Sequence, residues 1–345
     1  MDVRSRARAV IAFGALGDSL GFPVEFLKWE DIQEKYGPEG IMEPELQDGY
    51  ALISDDTQMT LFTACGLAKG GIPDVWEAYL DWLDTQTGGH AGRHKTPLYC
   101  VKRLHARRAP GHTCMSVLRG RRPGHPEESV NGSKGCGGVM RAAPAGIWAG
   151  SMDEAVWTGC RVAALTHGGS MGFLPAGFLA GLVYQGIHGA SMETAISLTR
   201  DAMLRLPLEN GLIPVLDRWV EKAAETAGEP CSDREAVTSL GEGWLGHEAL
   251  CIGLCAAIRH PDSLEACLRM AVNHGGDSDS TGAIAGNLFG AFHGMEDIRW
   301  QGRTELWDLC LLMADACLDR QLPGIEEFAG FADELQEESA HGSVN

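Results

Sequence analysis

Apolar positions recur along this chain at spacings of three and four, the period of a helix that buries one face or more. Val75, Trp76, Tyr79, Leu80 and Leu83 share such a face, behind a Pro73 placed for the first helical turn. The same period predicts helices over 4–16, 57–69, 95–107, 170–187, 191–204, 214–226, 245–259, 263–273, 280–293, 304–319 and 324–336. Ser151 with Glu154, and Ser232 with Glu235, read as capping boxes ahead of two more. Alternating runs of β-branched residues, the mark of strands, are nearly absent. The expected fold is all-α, with roughly a dozen helices around one core. No Pro/Gly/Ser linker divides the chain and no internal repeat is visible. Residues 1–337 are therefore expected to form one domain, followed by a frayed polar tail over 338–345.

Composition narrows the function classes. The 345 residues carry 28 Lys and Arg against 47 Asp and Glu, a formal net charge of −19. That balance argues against non-specific binding to nucleic acid or anionic lipid. Within it, 93–122 holds nine Lys or Arg and no acidic residue, a local basic patch that would steer an anionic ligand or acidic target. No apolar run reaches the length of a membrane span. Arg4, Arg6 and Arg8 before the apolar run 9–16 imitate a signal peptide, but no convincing cleavage site follows Gly17-Asp18, so 4–16 reads as a first domain helix. The eleven cysteines are scattered through apolar helical stretches with no Cys-x-x-Cys pair, the pattern of free thiols in a reducing compartment. A cytoplasmic protein without a zinc site is expected. Glycines such as Gly172, Gly177 and Gly181 sit inside apolar helices, where close helix–helix packing is their simplest use.

Four segments carry chemistry. The first runs from Gly14 through Gly17-Asp18-Ser19-Leu20-Gly21 to Glu25, the second is Ser54-Asp55-Asp56-Thr57, the third is Gly135 to Arg141, and the fourth is Asn273 to Gly282. The second and fourth share a design, with two carboxylates and a hydroxyl at the N-terminus of an apolar helix. Either alone is ordinary capping. Together they assemble carboxylate and hydroxyl oxygens without Cys or His, the ligand set of a hard divalent ion such as Mg²⁺ or Mn²⁺. Four aspartates converging from two helix ends suit a pair of ions about 3.5–4 Å apart. An EF-hand is rejected because the twelfth position counted from Asp277 is Leu288. Gly17-Asp18-Ser19-Leu20 also imitates a GDSL esterase, but no strand precedes it and no Asp-x-x-His follows anywhere in the chain. The third segment offers backbone N–H groups that can wrap an anion, without a P-loop Gly-Lys-Ser/Thr.

Taken together and in order, these segments resemble the ADP-ribosylglycohydrolase family, of the dinitrogenase reductase-activating and ADP-ribosyl-acceptor hydrolase type. The resemblance runs from about 10 to 294 and takes in Thr166-His167 and the stretch from Gly243-Trp244 to Leu250. It implies a compact orthogonal all-α bundle, two Mg²⁺ or Mn²⁺ ions, and release of ADP-ribose from mono-ADP-ribosylated acceptors, foremost ADP-ribosyl-arginine on protein. The metal ligands it implies are Ser54, Asp55, Asp56, Asp277, Asp279 and Ser280, with Thr281 a possible substitute for Ser280. The family more often has Thr at Ser54 and Ser280. Glu25, Asp56 and Asp279 are the catalytic residues it implies, Glu25 by orienting or deprotonating a water or by holding the scissile ribose. Gly135, Gly137, Gly138 and Val139 would wrap the pyrophosphate and distal ribose, His167 would touch the ligand, and Trp244 would lie on the adenosine side. The expected partners are ADP-ribose and an ADP-ribosylated protein, with neither nucleic acid nor membrane, and the expected state is a monomer. The alternative is a non-catalytic ADP-ribose-binding or crystallin-like member, which loss of the carboxylates would favour. None is lost here.

Overall fold

A computed structural model describes residues 2–89, 96–208 and 211–331. Sixteen α-helices and one two-stranded hairpin make up the described regular structure, besides short 3₁₀ turns. In chain order they are α1 (Val3–Gly21), α2 (Trp29–Tyr36), β1 (Leu46–Gln47), β2 (Tyr50–Ala51), α3 (Asp55–Lys69), α4 (Ile72–Thr87), α5 (His112–Gly120), α6 (Ala143–Trp148), α7 (Met152–Ala164) and α8 (Ser170–Ile187). Then follow α9 (Met192–Met203), α10 (Ile213–Gly228), α11 (Asp233–Leu240), α12 (Gly246–Arg259), α13 (Leu264–Val272), α14 (Ser278–His293), α15 (Trp307–Asp319) and α16 (Ile325–Ala329).

The centre of the bundle is the pair α1 and α14. Both are buried on nearly every side, which is why neither reads as a strongly amphipathic helix. Their backbones approach until no side chain fits between them. A Cβ on Gly17 would lie 2.0 Å from the Gly282 carbonyl oxygen, and one on Gly282 would lie 2.4 Å from that of Gly17. Glycine here trades helix propensity for an approach that brings the α14 N-terminus beside the end of α1. The glycines of α8 serve the same purpose against α7, since a Cβ on Gly177 would lie 2.3 Å from Cys160 Sγ. Residues 3–24 and 170–187 are long and apolar enough to cross a membrane by length and composition, but 83% of each window is buried inside the fold, so their apolar surface packs the protein core.

Helix entry follows local chemistry. Ser151, Ser191, Ser232 and Ser263 cap α7, α9, α11 and α13, each through its side-chain oxygen. The Ser232–Glu235 pair is a full capping box. At α7 only half of the expected box forms, because the Glu154 carboxylate takes the Gly150 N–H at 2.6 Å and the Arg320 guanidinium at 2.8 Å.

One predicted helix is corrected. Among its described residues, 96–107 forms two 3₁₀ turns, Pro97–Cys100 and Lys102–His105, and no α-helix. Leu98, Val101 and Leu104 are all fully buried. Their spacing is three, the period of a 3₁₀ turn, and it keeps all three on one side only if the chain winds more tightly than an α-helix. The helix expected over 324–336 is seen as α16, Ile325–Ala329; its last residues, and the tail expected over 338–345, lie outside the described residues.

Candidate functional site

Two helix N-termini face each other across the end of α1. Ser54 caps α3 by accepting the Asp56 N–H at 3.2 Å, which places Asp55 and Asp56 in the first turn. Asp277 caps α14 in the same way, accepting the Ser280 N–H at 3.4 Å, and places Asp279 in that first turn. The Asp279 carboxylate also accepts the Ser280 N–H, at 2.9 Å. Glu25 arrives from the 3₁₀ turn that ends α1. One carboxylate oxygen each of Glu25, Asp277 and Asp279 lie within 4.8 Å of one another. These groups, with Asp55, Asp56 and Ser280, line one wall of a cleft of about 370 Å³. Ser54 lies behind that wall. All six predicted ligand residues are thus brought together, five on the cleft and Ser54 at its back.

The electrostatics of this wall are severe. Burial raises the Asp55, Asp56 and Asp277 carboxyls well above the usual range, and the Asp279 charge adds to each. Burial also raises Asp279, opposed by hydrogen bonds from Asp277 and Ser54. Glu25 is pushed up to about 11, by burial first and then by Asp279, Asp277 and Asp55. Among the buried side-chain atoms without a hydrogen-bond partner are Glu25 Oε2 and Asp56 Oδ2. Unpartnered buried carboxylate oxygens amid other carboxylates are costly for a protein by itself and fit a divalent cation. The donor set, oxygen throughout, fits a hard ion.

Several residues hold the wall in place. Asp18, fully buried on α1, accepts from Ser54 N at 3.0 Å and Thr57 N at 3.1 Å, and from the Thr57 hydroxyl. Burial pushes its carboxyl up to about 7, with Asp279 adding to the shift. The Gly111 N–H donates to the Asp55 carboxylate at 3.1 Å, and the Asp55 N–H donates to the Arg108 carbonyl at 3.2 Å. The Arg108 guanidinium donates to Ile53 O at 2.9 Å and to the buried carboxylate of Glu305. Arg103 reaches the same carboxylate at 3.6 Å. Of Lys102, Arg103, Arg107 and Arg108 in the basic stretch 93–122, Arg103 and Arg108 therefore turn inward as braces of the α3 N-terminus. Arg93 and Lys95, from the same stretch, lie outside the described residues.

The glycine-rich loop forms the adjoining wall. Gly135, Cys136 and Gly137 face the cleft, while Gly138 and Val139 do not. A Cβ on Gly138 would lie 2.8 Å from Gly172 O, so that glycine serves packing on α8. Val139 is fully buried, and its N–H already donates to Cys136 O at 2.8 Å. The predicted ligand loop is thus shorter than expected, because its last two residues turn into the core. The Cys136 thiol donates to Asp277 Oδ2 at 2.6 Å, linking the loop to the acidic wall. His167 borders the cleft with its ring buried, and burial together with the Arg141 charge lowers its pKa to about 3. It is therefore a neutral imidazole. Trp244 stands at the mouth, where Phe26 stacks on it at 5.5 Å between ring centroids and 21° between planes. The Trp244 carbonyl accepts the Cys136 N–H at 3.0 Å, tying the mouth to the loop.

Sequence reasoning missed Asp18 as a site residue, and with it Cys136, Phe26 and the loop around Gly111. Asp18 did carry a signal, as an acidic residue directly after the uncharged apolar run 9–17 of α1. Phe26 and the Gly111 loop carried none, since Phe26 pairs with a ring far away in the chain and Gly111 acts through its backbone N–H.

The ADP-ribosylglycohydrolase family model matches this chain over residues 1–329. The chain is 26% identical over 313 residues to the ADP-ribosyl-dinitrogen reductase glycohydrolase of Rhodospirillum rubrum, covering 86% of this chain and 88% of that protein. It is 29% identical over 333 residues to ADP-ribosylhydrolase ARH3 of Mus musculus, covering 87% and 88% respectively. A solved ADP-ribosylglycohydrolase-related protein complex shares the fold, with a TM-score of 0.65 at 24% identity over 93% of this chain and 99% of that one.

Proposed function

The chain belongs to the ADP-ribosylglycohydrolase family, and from that premise we propose that it hydrolyses mono-ADP-ribosylated protein, foremost the ADP-ribosyl-arginine linkage, releasing ADP-ribose. The observation that carries this reading is the pair of unpartnered oxygens, Glu25 Oε2 and Asp56 Oδ2, within a wall of carboxylates. Asp55, Asp56, Asp277, Asp279 and Ser280, with Ser54 behind them, would hold two divalent ions, Mg²⁺ or Mn²⁺. Bound there, the ions would supply Lewis-acid polarisation and a fixed seat for ribose hydroxyls and water.

This chain's own groups do the rest. Glu25, which the charge of the bound ions would return to its carboxylate form by offsetting the neighbouring aspartates, takes a proton from the attacking water as its oxygen bonds to the anomeric carbon and the glycosidic C–N bond breaks. That proton is then returned to the departing guanidino nitrogen. The cleft faces of Gly135 and Gly137 leave room for the distal ribose and pyrophosphate, and the Phe26–Trp244 pair presents an aromatic surface to the adenine. An acidic cleft also favours a cationic acceptor such as arginine. Every carboxylate of both helix ends is present, which supports turnover over a purely binding role. The test is release of ADP-ribose from a panel of arginine-, serine- and other linked conjugates, each with and without Mg²⁺ or Mn²⁺. Arginine conjugates should be cleaved fastest, and no release from any linkage would overturn the reading.

A further inference from the structure

Arg141 belongs to neither wall of the cleft, yet it is fully buried, with its guanidinium set among α3, α4, α5 and the end of α7. It lies over the Tyr79 ring at 4.3 Å, and one terminal nitrogen reaches Met59 Sδ at 3.1 Å and Cys114 Sγ at 3.2 Å. The other nitrogen donates to Thr166 Oγ1 at 2.6 Å, and Thr166 Oγ1 lies 2.8 Å from His167 Nδ1.

The proton count along this chain is constrained. A guanidinium only donates, so the Thr166 oxygen accepts from Arg141. The hydroxyl has one hydrogen to give. Cys114 sulfur already accepts from Arg141 and is a weaker acceptor than an imidazole nitrogen, so the hydrogen goes to His167 Nδ1. A neutral ring that accepts at Nδ1 carries its own hydrogen on Nε2. That edge faces the cleft wall, since a Cβ on Gly137 would lie 3.1 Å from Nε2 and one on Gly135 would lie 3.5 Å from it.

We propose that Arg141 and Thr166 are positioning residues that lock His167 as its Nε2–H tautomer, making the ring a hydrogen-bond donor to a ligand hydroxyl or phosphoryl oxygen and never a proton acceptor in the hydrolysis. The tautomer follows from this chain's own contacts; its use on a ligand rests on the ADP-ribose reading above. A buried donor of fixed sense rejects ligands that offer no acceptor there, because the N–H would be left unpaired.

Long-range ¹H–¹⁵N correlation spectra of the full chain, labelled at histidine and with His167 assigned through His167→Asn, read the tautomer directly. The expected spectrum has a protonated Nε2 and a bare Nδ1. Calorimetric titration with ADP-ribose should show binding weakened by about tenfold or more in Thr166→Val, and within about threefold of wild type in Thr166→Ser, which keeps the hydroxyl. A wild-type spectrum with hydrogen on Nδ1 overturns the proposal, and so does a Thr166→Val protein that keeps both tautomer and affinity. Should Thr166→Val not fold, the wild-type spectrum and Thr166→Ser still decide. The expected tautomer in a protein that does not bind ADP-ribose leaves the relay standing and removes the ligand reading instead.

Discussion

The Asp18 carboxylate on α1 accepts the Ser54 backbone N–H at 3.0 Å through each of its oxygens, and one of these also accepts the Thr57 N–H at 3.1 Å. It thus caps α3 from another helix, while the Ser54 side chain caps the same turn locally. Asp18→Asn leaves one acceptor oxygen for two amides and the Thr57 hydroxyl, and sets an NH2 group against the Ser54 N–H or the Thr57 N–H. Leaving a buried N–H unpaired costs about 1–3 kcal/mol. Urea denaturation at constant pH should show a loss of that size, and Mn²⁺ affinity should drop with it because Asp55 and Asp56 ride on this turn. Unchanged stability and unchanged Mn²⁺ affinity would show that the second cap is idle.

The acidic wall makes stability depend on pH in a definite direction. Asp18 rises from 3.8 to about 7 and Glu25 from 4.5 to about 11 on folding, both chiefly through burial. The folded protein therefore holds protons that the unfolded chain has released, and stability falls as pH climbs above about 4 and on through 7. In the presence of a chelator, the melting temperature should drop by several degrees between pH 5.5 and 8. Saturating Mn²⁺ should raise it more at pH 8 than at pH 5.5. A chelated protein that melts higher at pH 8 would contradict the assigned burial of these carboxyls.

Metal dependence can be separated from general acid–base work. Asp55→Asn and Asp279→Asn should abolish turnover with helicity nearly intact, and EDTA should stop the reaction until Mg²⁺ or Mn²⁺ is restored. Glu25→Gln should lower kcat by about 10²-fold or more, in the range of a lost general base, with metal content by elemental analysis near wild type. Metal lost together with activity would make Glu25 a ligand, which its place within 4.8 Å of the Asp277 and Asp279 oxygens makes a sharp test.

Long helices were legible in the sequence because burial repeats with their period, and α8 begins and ends where its apolar run does, at Ser170 and Ile187. The short α2, α5 and α6, of eight, nine and six residues, were not predicted, since none opens on a Ser cap as the equally short α11 and α13 do. The acidic wall was legible because two like-charged clusters opening two apolar helices make little sense apart. What the sequence could not show was which way a basic side chain turns. Arg103 and Arg108 read as part of an outward basic patch and Arg141 only as the end of the glycine-rich segment, yet all three point into the protein because a buried oxygen, sulfur or ring awaits them.

The mouth of the cleft offers a test in which stability and binding move apart. Phe26 has φ of +66° and is 67% exposed, so its backbone is strained and its ring has little but Trp244 to lean on. Phe26→Gly removes the strain and should leave stability equal or higher by up to about 1 kcal/mol. Affinity for ADP-ribose should nonetheless fall severalfold, and Trp244→Ala should raise KM by about tenfold with kcat little changed, the mark of binding shared by ground and transition states. If Phe26→Gly binds ADP-ribose as tightly as wild type, the aromatic pair does not serve the adenine.

The basic stretch now divides into two experiments. Lys102 and Arg107 are exposed, whereas Arg108 is clamped on a Glu305 side chain only 1% exposed. Arg107→Glu alters only the field outside the protein. It should lower kcat/KM on a modified protein at low ionic strength and converge on wild type as salt screens the charge, with kcat unchanged. Arg108→Met strands the Glu305 carboxylate in the interior and frees the Ile53 carbonyl, so a loss of about 3–5 kcal/mol in urea denaturation is expected. Because the Arg108 loop also carries the backbone partners of Asp55, Mn²⁺ affinity should fall as well, and added salt should not restore it. The two variants thus separate steering, which salt erases, from bracing, which it does not. An Arg108→Met protein as stable as wild type would mean that Arg103, 3.6 Å from the same carboxylate, suffices to neutralise Glu305.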